Sequence, residues 1–258
     1  MTEETDNSRR FGGIARLYGE TAYRRFLSAH VCVIGVGGVG SWVVESLARS
    51  AIGRLTLIDM DHVSESNINR QLPALASTLG AAKVQVLKQR VDEINPHCHV
   101  ETVEEFVTAD NPGEWIPADA DVVVDCIDSF RDKAALIAWC RRNKQCVITV
   151  GGAGGKSDAS LLRIADLSRT EKDALLSRVR KQLRQDYNFP RNPKRRFSVP
   201  AIYSTEEPRI AEAGTGSCSI DDKASHLNCG GLGSVTHVTA TAGLLAVGEV
   251  LRRLSLPN

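Results

Sequence analysis

A chain of 258 residues can bury a full α/β core, and 42% hydrophobic with 24% charged residues is the balance of an ordinary soluble globular protein. A formal net charge of +1 excludes a global attraction to polyanions, so any nucleic-acid site has to be a local patch. Seven cysteines without a C-x-x-C pair exclude a zinc ribbon or a thioredoxin-type site, and an odd count with no secretory signal points to a reducing, cytoplasmic setting.

The first thirteen residues are polar and read as a frayed start. "HVCVIG" at 30–35 is a short apolar run, "GSWVVESLARS" at 40–50 has helical spacing, and "RLTLID" at 54–59 is a second apolar run, together one β-α-β unit. A helix over 81–94 stops at Asn95-Pro96, strands follow at 98–103 and 121–128, a helix at 132–143 and a strand at 145–150. This alternation predicts an α/β protein with a doubly wound, mainly parallel sheet, whose ligands sit at the carboxyl ends of the strands.

After Val150 come the glycine-rich "GGAGGKSDAS", a charged helix over 171–186, a basic loop over 188–200 and a long polar stretch over 206–233. Residues 232–251 have nearly the length of a membrane span, but His237, Glu249 and several Ser, Thr and Gly residues favour a buried packing helix, with peripheral membrane contact left open. Residues 1–150 form the nucleotide-binding region and 151–258 a C-terminal region, read as one continuous domain.

Between the first strand and helix stands "GVGGVG", with Gly35, Gly37, Gly38 and Gly40, where backbone N–H groups at a helix start can face phosphate. A nicotinamide, a flavin or ATP could use such a turn. Asp59 ends the second strand, where a carboxylate can accept from ribose hydroxyls. Asn67, Asn69, Arg70 and Gln71 then bring amides and a guanidinium, and Lys83 follows. Cations suit a triphosphate that gathers charge as a leaving group forms, and a nicotinamide ring has no use for them. Asp128, after "VVVDCI", can hold Mg2+ against those phosphates.

"GVGGVG", "DMDHVSESNINRQ", Lys83 and "DCIDS" together resemble the nucleotide site of the ubiquitin-activating-enzyme-like (E1-like) superfamily. "RFGGIARLYG", "KAALIAWCRRNK", "VGGAGG" and "NCGGLGSVTHVTATAG" make the chain similar to its tRNA threonylcarbamoyladenosine dehydratases from about residue 10 onward. Ala159 and Ala174 depart from that pattern, standing where relatives commonly have proline. The resemblance implies ATP-dependent dehydration of N6-threonylcarbamoyladenosine at tRNA position 37 by adenylation of the threonyl carboxylate and intramolecular ring closure. The alternative is adenylation of the C-terminus of a small carrier protein, although the relatives that do this typically carry paired C-x-x-C motifs.

By the same resemblance Gly38 lies on the phosphates, Asp59 on the ribose, Asn67 and Arg70 on the phosphates, Lys83 on the α-phosphate and Asp128 on Mg2+, making Arg70, Lys83 and Asp128 the catalytic set. A monovalent cation, K+ or Na+, is a further candidate ion. A homodimer is implied, with an N-terminal arginine, Arg16 or Arg10, reaching the partner's terminal phosphates. The tRNA patch falls on Arg178, Arg180, Lys181, Arg184, Arg191, Lys194, Arg195 and Arg196, eight cations against the single Asp186 over 178–196. A solvated helix face is the plain alternative, and Phe189 and Phe197 could stack on bases or belong to the core. Cys229 in "LNCGGLG" is a candidate sulfur acceptor for a cysteine desulfurase system (CsdA with CsdE), though structural cysteine is commoner.

Overall fold

Seven strands form one sheet in the order β3-β2-β1-β4-β5-β7-β6 in a computed structural model that describes residues 7–209 and 232–256. Five are the expected apolar runs: β1 (His30–Ile34), β2 (Arg54–Ile58), β3 (His99–Val103), β4 (Val122–Asp125) and β5 (Val147–Val150). β1, β4 and β5 are buried along their whole length, which is what a parallel sheet covered on both faces demands of its residues. All neighbours from β3 to β7 pair in parallel, with Cys32 opposite Thr56 on one side and Val123 on the other.

The connecting helices α3 (Gly40–Arg49), α4 (Lys83–Ile94) and α5 (Phe130–Arg142) fall within three residues of their expected limits. α6 begins at Ala174 because the Asp173 carboxylate accepts from Leu176 N–H, so Glu171 and Lys172 stay outside. Two apolar clusters flank the sheet, one with α3, α4 and the last helix α7 (Thr236–Ser255), the other with α5 and α6. Among the described residues no helix is long and apolar enough to cross a membrane, and α7 packs against α3 and β5.

Three expectations need correction. Residues 7–13 are not frayed: they open α1 (Asn7–Tyr18), which with α2 (Glu20–Ser28) packs Phe11 and Tyr23 against Ala51. The basic segment expected as loop to residue 200 ends in β7 (Pro200–Ser204), where proline takes the first strand position, a place that needs no ladder N–H. β6 (Leu162–Asp166), which runs antiparallel to β7 at the sheet edge, was not expected, because its exposed Arg163 and Ile164 blur any apolar run. The sheet therefore runs across the 150/151 division, with β5 hydrogen-bonded to β7.

Candidate nucleotide site

The strand order reverses between β1 and β4, the crevice where open α/β sheets bind ligands. The phosphate turn leaves β1 there and the Asp128 loop leaves β4. Gly35 has φ +79°, and a Cβ on it would stand 3.0 Å from Cys126 O, so the two exit loops touch through backbone. A Cβ on Gly40 would stand 1.9 Å from Gly35 O, so the turn closes only with glycine at that place. Gly37 and Gly38 are looser, facing the Gln71 amide and the Arg70 stem.

Asp59 braces this turn: one carboxylate oxygen accepts from Val36 N–H at 2.7 Å and the other from Asp61 N–H at 2.8 Å. Burial pushes its carboxyl above the usual carboxylate range, opposed by the Lys83 cation and by those N–H donors. Lys83, the first residue of α4, is buried, with Nζ 2.8 Å from Asp61 Oδ2. Asn67 is buried as well, its Oδ1 accepting from Ser64 N–H in the short turn that presents Arg70.

The Arg70 guanidinium donates to Ser66 O at 2.8 Å and Asn69 Oδ1 at 3.0 Å, and no carboxylate among the described residues pairs with it. Burial holds its pKa below the ordinary arginine value. Its carbonyl accepts from Trp42 Nε1 and Thr239 Oγ1, and Asn69 Nδ2 donates to Ser234 O, so the residues at the start of α7 seat the loop. Gln71 Oε1 is buried without a hydrogen-bond partner beside Gly37, an acceptor that a bound nucleotide's hydroxyl or amine would satisfy.

Asp128 is exposed and has no hydrogen-bond or ion-pair partner among the described residues, three residues beyond β4 and two before α5. Beneath it Asp125 Oδ1 accepts from Ile127 N–H at 3.1 Å, while Oδ2 accepts from Thr149 Oγ1 at 2.7 Å and lies 2.9 Å from Lys133 Nζ. Among the described residues no three His, Cys, Asp or Glu side chains converge to hold a metal by themselves. Magnesium at Asp128 would therefore take phosphate oxygens and water as its other ligands, the usual way a nucleotide-bound magnesium is held.

Arg10 and Arg16 are not brought to this crevice. Arg10 donates to the carbonyls of Glu93 and Ile94 at the end of α4, and Arg16 lies over Gly12 and Gly13 of its own helix. Arg10 therefore stands at the far end of α4 from the crevice, which lies at its start. The "VGGAGG" glycines serve the fold: a Cβ on Gly151 would stand 2.0 Å from Asp173 Oδ2, which accepts from Gly152 N–H. Cys229 and residues 210–231 lie outside the described residues.

The basic segment divides by burial. Phe197 is core, with Phe189 edge-on at 4.9 Å and the Arg184 guanidinium 5.2 Å from its centroid. Arg178, Lys181, Arg191, Lys194, Arg195 and Arg196 are exposed, and Arg180 donates to Thr170 Oγ1. The sequence reading singled out neither Asp125, Lys133, Thr239 nor Trp42. Lysine three residues into a helix looks solvated unless its distant partner is known, and the α7 contacts join residues about 170 positions apart, as the Thr239–Arg70 bond does.

The family model for ThiF matches residues 11–257. The tRNA threonylcarbamoyladenosine dehydratase of Haemophilus influenzae is 51% identical over 255 residues, covering 98% of this chain and 96% of that protein. The crystal structure of the Escherichia coli tRNA N6-threonylcarbamoyladenosine dehydratase TcdA in complex with ATP superposes with a TM-score of 0.86 at 43% identity, covering 97% of this chain and 96% of the other. The complex of that protein with AMP gives 0.87 at the same identity and coverage. The chain belongs to the ThiF family and, within it, to the tRNA threonylcarbamoyladenosine dehydratases.

Proposed function

We propose that this chain catalyses the ATP-dependent dehydration of N6-threonylcarbamoyladenosine at tRNA position 37 to its cyclic form. The observation that carries the reading is the convergence of the glycine turn, Asp59, Arg70 and Lys83 on the crevice that Asp128 borders, in a chain related along its whole length to such dehydratases.

A carboxylate is a poor electrophile until it carries a leaving group. Attack of a threonyl carboxylate oxygen on the α-phosphorus of ATP releases pyrophosphate and leaves AMP on the acyl carbon. The neighbouring ureido group of the same modification then closes a five-membered ring and expels AMP, which keeps the oxygen, so the nucleoside loses one water overall. The ring closure is intramolecular and has a high effective molarity, so the protein has chiefly to orient and to stabilise charge.

In this reading the N–H groups around Gly37 and Gly38 take phosphate oxygens, and Asp59 accepts from the ribose. Arg70, held among the described residues by neutral acceptors, is available to the phosphates. Lys83 shifts from Asp61 toward the α-phosphate as charge develops there, and Asn67 fixes the loop that carries Arg70. Asp128 would hold Mg2+, which when bound neutralises phosphate charge. Arg16, whose guanidinium lies over its own helix, would serve the site of another copy, and the neighbouring Leu17, 75% exposed, supports a homodimer contact there. The cations of α6 and residues 191–196 would bind the tRNA backbone in a cytoplasmic setting.

The test is mass spectrometry of nucleosides from tRNA bearing the modification, incubated with the protein, ATP and Mg2+. ATP-dependent loss of one water supports the reading. An unchanged nucleoside, with ATP consumed when a small carrier protein is present, would replace the substrate and keep the adenylation site.

A further inference from the structure

The cations of this protein are treated in two ways. Over much of the surface they are neutralised: Arg54 by Asp119 and Glu101, Arg49 and Arg90 by Glu45, Arg252 and Arg253 by Glu249. Among the described residues, none of Arg178, Arg180, Lys181, Arg184, Arg191 or the cations at 194–196 pairs with a carboxylate, and neither does Arg131 on the first turn of α5. Uncompensated cations on one surface attract a polyanion.

That surface has two parts. One is an open cleft of about 460 Å3 lined by Ser177, Arg180, Lys181, Arg184, Gln185 and Arg191. The other is a stacked pair: the Arg131 and Arg178 guanidinium carbons lie 5.7 and 5.9 Å from the centroid of the Phe130 ring. Phe130 is packed against the core, opens α5 and stands two residues after Asp128. A guanidinium over an aromatic face is restrained in orientation, and its N–H edges stay available for phosphate oxygens.

We propose that Arg131 and Arg178, restrained on Phe130, grip the RNA backbone beside the modified nucleotide and set its carboxylate against the adenylation site, while Lys181, Arg184 and Arg191 of the adjoining cleft supply affinity. This rests on the tRNA reading given above. Placement and affinity then fall to different side chains. The stacked pair is tied through one residue, Ser129, to the loop that carries Asp128, whereas Arg184 is six residues further along α6, roughly 9 Å at 1.5 Å rise per residue.

The experiment measures tRNA affinity as a function of salt and single-turnover dehydration at saturating tRNA, with the folded state checked by thermal unfolding. Arg131→Ala/Arg178→Ala is expected to slow the saturated step by at least about tenfold, since small misplacements of a reacting group are costly. Lys181→Ala/Arg184→Ala/Arg191→Ala is expected to act chiefly on affinity and to flatten the slope of log K against log salt by about 2, at roughly 0.7 to 0.9 per lost phosphate contact. Phe130→Leu keeps bulk and both charges and removes the stacking face, so it should reproduce the slowed step in milder form. Parent-like saturated turnover in both the arginine double variant and Phe130→Leu would overturn the inference. So would equal loss of rate in the cleft variant. If the parent protein itself leaves the nucleoside unchanged, the substrate reading has failed instead, which the same assay reports separately.

Discussion

Lys133 Nζ lies 2.9 Å from Asp125 Oδ2 with both side chains wholly out of solvent, beneath the loop that presents Asp128. The ammonium also donates to Thr149 Oγ1 and Asp125 O, so the pair is fully engaged at the carboxyl ends of β4 and β5. Removing one partner strands the other charge in the core. Lys133→Met should cost about 3–5 kcal/mol, read as a fall in the urea midpoint, and Asp125→Asn/Lys133→Met should recover part of it because no ion is then left alone. A single variant as stable as the parent would show that the pair contributes nothing.

Asp128 contrasts with that pair, being exposed and without a hydrogen-bond or ion-pair partner among the described residues. Asp128→Asn should leave stability within about 0.5 kcal/mol, as surface changes commonly do. ATP–pyrophosphate exchange should fall more than about a hundredfold, the scale of losing metal assistance to phosphoryl chemistry. Chelation of magnesium should lower the parent to a similar level. Normal exchange in the folded variant would remove the proposed metal role.

The phosphate turn separates two glycines by what surrounds them. A Cβ on Gly40 meets backbone at 1.9 Å, whereas on Gly38 its nearest neighbours are side-chain carbons, Arg70 Cγ and Thr239 Cγ2, at 3.5 Å. Gly40→Ala should cost about 1–3 kcal/mol as an overpacked site and weaken nucleotide binding with it. Gly38→Ala should leave the melting temperature near the parent's, so any loss of ATP affinity there reports on the ligand alone. Calorimetric titration and thermal unfolding of both variants decide the point, and equal destabilisation would refute the distinction.

Glu206 gives a pH signature. Its carboxylate accepts from Asp158 N–H and Ser157 N–H at 2.9 Å and from Ser157 Oγ, with Arg209 alongside, and these donors lower its pKa from 4.5 to about 2. A depressed carboxyl stabilises the fold at pH values above the unfolded pKa and stops doing so as the pH falls through the folded one. The stability gap between parent and Glu206→Gln should be full above pH 4.5 and close progressively toward about 2. Unfolding midpoints across that window test it, and a gap that persists unchanged into acid would deny the cause.

How much of this was legible in the sequence follows from how local each signal is. β1, β4 and β5 are uninterrupted apolar runs, and the glycine turn with Asp59 lies within a single β-α-β unit, so both could be read directly. β6 and β7 could not: β6 is a half-exposed edge and β7 has five residues opened by proline. Lys133 looked solvated because its partner is eight residues back across a helix start. Arg10 is a converse case, since its bonds to the end of α4 join residues more than eighty positions apart, which no short pattern encodes.

The position of β7 has a consequence for how the protein comes to be made. β6 has no neighbour but β7, and β7 enters the sheet between β6 and β5, so the growing chain holds an unpaired strand until residue 204 has emerged from the ribosome. Ser234 and Thr239, which seat the Asn69–Arg70 loop, come later still. The Asn69–Arg70 loop is therefore seated only once the start of α7 has been made, Ser234 standing 165 residues after Asn69.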